Sequence, residues 1–259
     1  MKRTEIAPPT DLPAALAPYL AGARVYNSSC SREASVYYLE GKTRCYLKRA
    51  PVGTLRAEWE MTSYFYTLGL SVEPLLYLSE GGEDFLLTRA GVGEDGIDPR
   101  HLAEPRRLAE ELGRALRLLH AIPPKDCPVG DRTERYLAAA EEGYAAGCFH
   151  GSFAMREGTT PDEAIALVRA AAPRLTSRVL LHGDYCLPNV LFEGFVPTAF
   201  IDLGAAGVGD RHIDLFWGAW TLNFNLGTDE YREVFFRAYG RDLVDDDLIA
   251  AIGAAECFA

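Results

Sequence analysis

The sequence predicts an α+β chain of two lobes, a small β-rich lobe followed by a larger, mainly helical one. Three observations carry this expectation. Residues 1–90 hold short runs rich in β-branched and aromatic residues around a single helical segment. Residues 91–97 are glycine-rich and read as a hinge. From residue 98 to 259 the apolar spacing is mostly helical, interrupted by three short strand-like runs.

The elements follow in order. "ASVYYLEG" and "TRCYLKRA" are strands joined by a hairpin turn at Gly41-Lys42. "LRAEWEMTSYFYTLGL" is a helix, with Leu55, Trp59 and Tyr66 on its apolar face and Gly69 as its stop. "EPLLYLSEGGEDFLLTRA" is a second hairpin turning at Gly81-Gly82, and "GVGEDGIDP" is the connector. "AEPRRLAEELGRALRLLHAIP" places Leu108, Leu112, Leu116 and Leu119 at helical spacing and stops at Pro123-Pro124. Thr160-Pro161-Asp162-Glu163 starts another helix, with Thr160 as cap, Pro161 in the first turn and Glu163 closing a capping box. "RVLL", "NVLF" and "TAFID" are short strands, and three helical segments complete the chain.

Composition narrows the function classes. The 259 residues suffice for one large domain or two lobes. Acidic residues outnumber basic ones by 37 to 26, a net charge of −11, which argues against nucleic acid and anionic membrane as partners. The same charge suits a cationic small molecule and also plain solubility. No apolar run approaches the roughly 20 residues of a membrane span. None of the six cysteines, Cys30, Cys45, Cys127, Cys148, Cys186 and Cys257, sits in a C-x-x-C pair. "MKRTEIAPPTDLP" lacks the apolar segment of a signal peptide, so the cysteines are expected to be reduced, in a cytoplasmic protein.

The stretch "LLHGDYCLPNVLFEGFVPTAFIDLGAAGVGDRHIDLFWG" carries the chemistry. Four residues separate Asp184 from Asn189, and Asp202 stands one residue from Gly204 at the end of a strand-like run. Phosphoryl transfer uses this set: an Asp takes the acceptor hydroxyl's proton, and an Asn and a second Asp hold Mg2+. Mg2+ selects hard oxygen ligands, which carboxylates and amide carbonyls supply. A hairpin between the strands after Asn189 and before Asp202 would bring the three together, with His182 bracing the loop by hydrogen bonding. Each residue alone has an ordinary structural explanation, as a turn or a strand-end cap; their order and context do not. In the first lobe, Lys48 ends the strand "CYLK" and fits the lysine that binds ATP phosphates. Its partner would be a helix glutamate, Glu60 or its competitor Glu58.

With these residues in place the chain resembles, nearly end to end, the aminoglycoside 3′-phosphotransferase family, which has a bilobal protein-kinase-like fold. "LHGDYCLPNVLF" and "IDLGAAGVGDRHIDL" carry the likeness, as do "LKR" and the helix with Glu60 and Tyr66. The resemblance implies transfer of the γ-phosphate of ATP, with Mg2+, to a hydroxyl of a small molecule, an aminoglycoside first of all. It implies Asp184 as catalytic base and Asn189 and Asp202 as metal ligands. It pairs Lys48 with Glu60, stacks adenine on Tyr46 and sets the backbone of Thr88–Ala90 against the purine edge. Asp210 and Asp214 would brace the catalytic loop, and Glu256, near the C-terminus, would bind acceptor. "CSREASVYYL" stands where protein kinases have a glycine-rich loop.

The chain also departs from the family pattern. The insert "GCFHGSFAMREG" is nearly free of acids, Ala205 replaces a frequent Arg, and Phe224-Asn225 replaces an acidic pair. An apolar acceptor cleft lined by Phe149, Phe153 and Phe224 is therefore expected. The alternatives are a kinase of another small alcohol and a nucleotide-binding pseudokinase.

Overall fold

The computed structural model describes residues 3–29, 34–154, 156 and 158–259. Cys30 and its three successors in "CSREASVYYL", together with Met155 and Glu157 of the insert, lie outside the described residues.

The first lobe is built on a six-stranded sheet. Its elements are β1 (Thr4–Ile6), α1 (Ala17–Leu20), β2 (Arg24–Asn27), β3 (Ser35–Glu40), β4 (Arg44–Pro51), α2 (Arg56–Thr67), β5 (Pro74–Glu80) and β6 (Glu83–Arg89). The strand order is β1-β2-β3-β4-β6-β5, antiparallel throughout. Both hairpins stand where the sequence places them. Gly81 and Gly82 have φ of 64° and 85°, the left-handed pair a tight hairpin requires. Alternation along the strands separates two faces. Val25, Leu39, Cys45, Leu47, Phe85 and Leu87 pack with Leu16 as the lobe's core. Tyr38, Tyr46, Lys48 and Thr88, at the intervening positions, turn to the cleft below.

Helix α2 differs from its expected register. Its buried side chains are Glu58, Met61, Thr62 and Phe65, while Tyr66 is exposed. The repeat that decides burial runs from Leu55 through positions 58, 61–62 and 65, a stripe at i, i+3, i+7 and i+10. Trp59 and Tyr66 drew the expected face away from it, because a buried glutamate does not register as part of an apolar stripe.

The second lobe contains β7 (Glu94–Asp95), α3 (Pro99–Leu102), α4 (Pro105–Ala121), α5 (Arg132–Ala145), α6 (Pro161–Ala171), β8 (Val179–Leu181), β9 (Val190–Glu193), β10 (Val196–Phe200), β11 (Gly207–Gly209), α7 (His212–Leu226), α8 (Arg232–Tyr239) and α9 (Asp246–Glu256). Helix α4 buries Leu108, Leu112, Leu116 and Leu119, the four leucines at helical spacing. Thr160 caps α6 with both bonds of the capping box. The connector is anchored to this lobe: β7 pairs with β9, and a Cβ on Gly93, at φ 92°, would lie 2.1 Å from the Phe192 carbonyl oxygen. No helix of the described residues is long and apolar enough to cross a membrane.

The lobes are tied beside the expected site. Phe200 donates its N–H to the Leu70 carbonyl, and the Ser71 hydroxyl donates to the Phe200 carbonyl, each at 2.8 Å. The segment joining α2 to β5 is thereby fixed two residues before Asp202.

Candidate active site

Between the lobes lies a cleft of about 950 Å³ lined by residues of both, among them Tyr46, Lys48, Glu58, Thr88, Asn189 and Asp202. Strands β9 and β10 form the expected hairpin, with Val190 opposite Phe200. Asn189 therefore leads into one strand and Asp202 follows the other. The turn after β10 is tight: Asp202 sits in the left-handed region at φ 59°, which Asp tolerates better than most residues.

The loop carrying Asp184 is held by hydrogen bonds from several elements. The Asn189 side-chain amide donates to the Asp184 carboxylate at 2.8 Å and to the Asp184 carbonyl at 3.0 Å. His182, fully buried, donates from Nε2 to the Ile201 carbonyl at 3.1 Å and accepts the Asp184 N–H on Nδ1 at 3.3 Å. It braces the loop, as the sequence implied. Asp214 accepts the N–H groups of His182 and Gly183, both at 2.7 Å. His120 donates to the same carboxylate at 3.0 Å and accepts from the Tyr239 hydroxyl at 2.9 Å. Burial holds His120 below the usual histidine range against the pull of Asp214, so it serves as a neutral link. Asp210 accepts from Ser177 and from His212. Gly183, at φ 85°, is required: a Cβ there would stand 1.9 Å from the Ala205 carbonyl oxygen.

Lys48 corrects one expectation. Its ammonium donates to Glu58 at 2.7 Å and to Asp202 at 2.8 Å, not to Glu60. Glu60 pairs with Arg56 at 2.9 Å, one helical turn back and toward solvent. The two glutamates are about 200° apart around α2, so the helix register decides between them. Burial pulls the Lys48 ammonium down, but Glu58 and Asp202 outweigh it and the net direction is up. Lys48 is therefore a fixed cation on the cleft floor. We expect Glu58→Gln to raise the KM for ATP tenfold or more and Glu60→Gln to leave it within about twofold, the usual reach of a surface ion pair. Steady-state kinetics of the two variants decide between these residues.

The end of the cleft expected to take adenine is less complete. Tyr46 lies in the cleft beside Tyr38, with ring centroids 5.1 Å apart, and its hydroxyl accepts from Arg3. Thr88 faces it across the β4–β6 pair. Ala90 commits its N–H to the Arg44 carbonyl at 2.9 Å, so that donor is not available to a purine edge.

Arg132 was not singled out from the sequence. From the first turn of α5 it donates to the Gly204 and Ala206 carbonyls, both at 2.7 Å, on either side of Ala205. It thus grips the loop that follows Asp202. The signal was faint: Gly207 and Gly209 leave room for it, and a Cβ on Gly207 would meet its Cγ at 2.8 Å.

Glu256, expected to bind acceptor, ends α9, buried, and accepts from the Tyr136 hydroxyl at 2.6 Å. Burial pushes its carboxyl up to about 7, with the Asp184 charge adding to the rise and the hydrogen bond from Tyr136 opposing it. The ordinary value is 4.5, so between roughly pH 4.5 and 7 the folded protein keeps a proton that the unfolded chain has released. Stability therefore falls as pH rises through that window. Glu256→Gln removes this dependence. Relative to wild type it should gain on the order of 3 kcal/mol between pH 4.5 and 8, at 1.36 kcal/mol per unit. Denaturant melts at the two pH values give the answer; an equal difference at both would contradict it. None of Phe149, Phe153 and Phe224 lines the interlobe cleft: Phe149 packs on Phe258, Phe153 packs on Trp217 and Trp220, and Phe224 is 68% exposed.

The donor set bears on a metal. Among the described residues no cluster of three or more His, Cys, Asp or Glu could hold an ion alone. Mg2+ does not need one, since it is commonly held by one or two carboxylates with substrate phosphates and water. Asn189 turns its amide NH2 toward Asp184, leaving its carbonyl oxygen for another partner, and the half-exposed Asp202 carboxylate is engaged by Lys48 on one oxygen. These oxygens fit Mg2+.

Comparison with known proteins places the chain in a family. The model of the phosphotransferase enzyme family matches residues 29–249. A probable aminoglycoside 3′-phosphotransferase of Lactococcus lactis is 44% identical over 247 residues, spanning 95% of this chain and 94% of that protein. A solved aminoglycoside 3′-phosphotransferase of type VIII superposes with a TM-score of 0.77 at 24% identity, over 92% of this chain and 94% of that one. An aminoglycoside phosphotransferase of Streptomyces rimosus, solved with ADP and streptomycin, gives a TM-score of 0.73 at 24% identity, over 86% and 90% of the two chains. The chain belongs to the phosphotransferase enzyme family, as an aminoglycoside 3′-phosphotransferase-like, ATP-dependent kinase.

Proposed function

We propose that this enzyme moves the γ-phosphate of ATP to the 3′-hydroxyl of an aminoglycoside, with Asp184 as the base. The observation that carries the reading is the convergence of Lys48, Asn189 and Asp202 on one interlobe cleft, with the Asp184 carboxylate held against Asn189 at 2.8 Å. Asn189 and the bracing of His182 and Asp214 hold the Asp184 carboxylate in place to take the proton of the acceptor hydroxyl. Lys48, kept cationic by Glu58 and Asp202, binds the α/β-phosphates. Tyr46 and Thr88 line the adenine end of the cleft. Asn189 and Asp202 would hold Mg2+, which when bound neutralises phosphate charge. Glu256 would accept an ammonium group of the acceptor. The Lactococcus relative and the Streptomyces complex, with its ADP and streptomycin, support the choice of nucleotide and acceptor class.

Acceptor range should be narrow. Polycationic drugs need clustered carboxylates, and each lost partner of a charge pair costs about 2–5 kcal/mol of affinity. Among the described residues of the insert there are no acids, and Phe224-Asn225 adds none. ADP release measured over a panel of aminoglycosides and less cationic alcohols tests this. The expected profile has a few amino-sugar acceptors well above the rest. Efficient turnover of many polycationic drugs would overturn the narrow range, and turnover of uncharged alcohols alone would overturn the acceptor class.

A further inference from the structure

Helix α7 carries aromatic side chains at 217, 220 and 224, the i, i+3, i+7 spacing of one helix face. They stack in succession. Trp217 and Trp220 meet edge to face, with centroids 5.3 Å apart; Trp220 and Phe224 lie 14° from parallel at 4.8 Å. Phe153, from the insert, closes the inner end against both tryptophans, at 5.9 and 5.7 Å. At 1.5 Å per residue the ladder extends about 10 Å along the helix.

Stacked aromatics are ordinarily core, where burial of the rings is the point of the contact. Here Phe224 is mostly exposed and both tryptophans are only partly buried. The ladder thus keeps apolar surface that a ligand can cover. Its place ties it to the acceptor side. Phe153, which meets both tryptophans, also lies against α9: a Cβ on Gly253, three residues before Glu256, would stand 2.8 Å from the Phe153 carbonyl oxygen. From the same helix, Thr221 accepts the N–H of Leu187, three residues past Asp184, at 3.1 Å. Asn225 turns its amide NH2 back onto Thr221, so the surface offered beside the outer rung is the Phe224 ring.

We propose that Trp220 and Phe224 form a stacking platform for a saccharide ring of the acceptor, while Glu256 takes an ammonium group at the inner end. The proposal rests on the reading of Asp184 as base for a sugar hydroxyl. An aromatic face carries the negative side of the ring quadrupole, which attracts the weakly positive C–H face of a sugar ring and, more strongly, an ammonium group. Recognition at the outer end then depends on ring shape more than on charge count. The enzyme should favour amino sugars with few ammonium groups beyond the one near Glu256.

The test compares Phe224→Ala, Trp220→Leu and Phe224→Tyr, using as acceptors a two-ring amino sugar and a larger polycationic aminoglycoside. Phe224→Ala and Trp220→Leu should raise the acceptor KM about tenfold, with the KM for ATP unchanged, and Phe224→Tyr should restore it. The loss should persist in high salt, because stacking is screened far less than ion pairing. An unchanged acceptor KM in both truncations would overturn the platform alone. A parallel rise in the KM for ATP would assign the rings to general packing and overturn it too. A wild-type enzyme that phosphorylates neither saccharide would instead bring down the functional reading, and the platform with it.

Discussion

Asp184→Asn should keep the fold and Mg-ATP binding while lowering kcat by about 10²–10⁴-fold, the usual contribution of a positioned general base. The substitution suits the question because the local geometry survives it. The Asp184 carboxylate accepts from the Asn189 amide at 2.8 Å, and an Asn carbonyl oxygen at the same place can accept that bond. The backbone contacts of the loop, from Gly183 to Asp214 and from Asp184 to His182, are untouched. Only the capacity to take a proton is removed. Turnover under saturating acceptor and ATP, beside calorimetry with a non-hydrolysable nucleotide, separates the two effects. A variant within tenfold of wild type would sink the assignment.

Asp202→Ala should cost roughly 30-fold or more in Mg-dependent nucleotide affinity, on the scale of about 2–5 kcal/mol for one partner of a close charge pair. Overall stability should change far less. The Asp202 side chain is half exposed, and Lys48 keeps Glu58 at 2.7 Å when Asp202 is gone. A left-handed alanine adds backbone strain of about 1–2 kcal/mol. Asp202→Asn is the control, since Asn tolerates that backbone as Asp does and lacks only the charge. Both variants should lose Mg-dependent binding by calorimetry. Unchanged affinity in either would remove Asp202 from the metal site.

The two-lobe plan was legible in the sequence wherever the signal was local. Gly81-Gly82, the Thr160 box and the leucines of α4 each obey short-range rules that packing did not override. Strands β1 and β2 were not read, because "TEI" and "RVYN" are too short to show alternation and take their place by pairing with β3 and its neighbours. Asn189 and Asp202 were legible because they flank the two strands of one hairpin, and Asp184 because four residues separate it from Asn189, to which it is bonded. The partner of Lys48 was not, because it depends on which face of α2 packs inward. Trp59 and Tyr66 are the larger apolar residues, yet Met61 and Phe65 meet the second lobe's core and turn Glu58 to the cleft. Arg132 was hidden for a similar reason: its two carbonyl partners lie 72 and 74 residues away in sequence.

If the proposed reading holds, this interlobe site phosphorylates one hydroxyl of an amino sugar. The most direct measurement incubates the enzyme with γ-labelled ATP and an aminoglycoside, in parallel with its 3′-deoxy analogue, and locates the phosphate by phosphorus–proton NMR. The expected outcome is a single phosphomonoester on the 3′-oxygen, no product from the 3′-deoxy compound, and loss of product in Asp184→Asn. Equal labelling of the 3′-deoxy compound, or ATP consumption with no phosphorylated sugar, would contradict it.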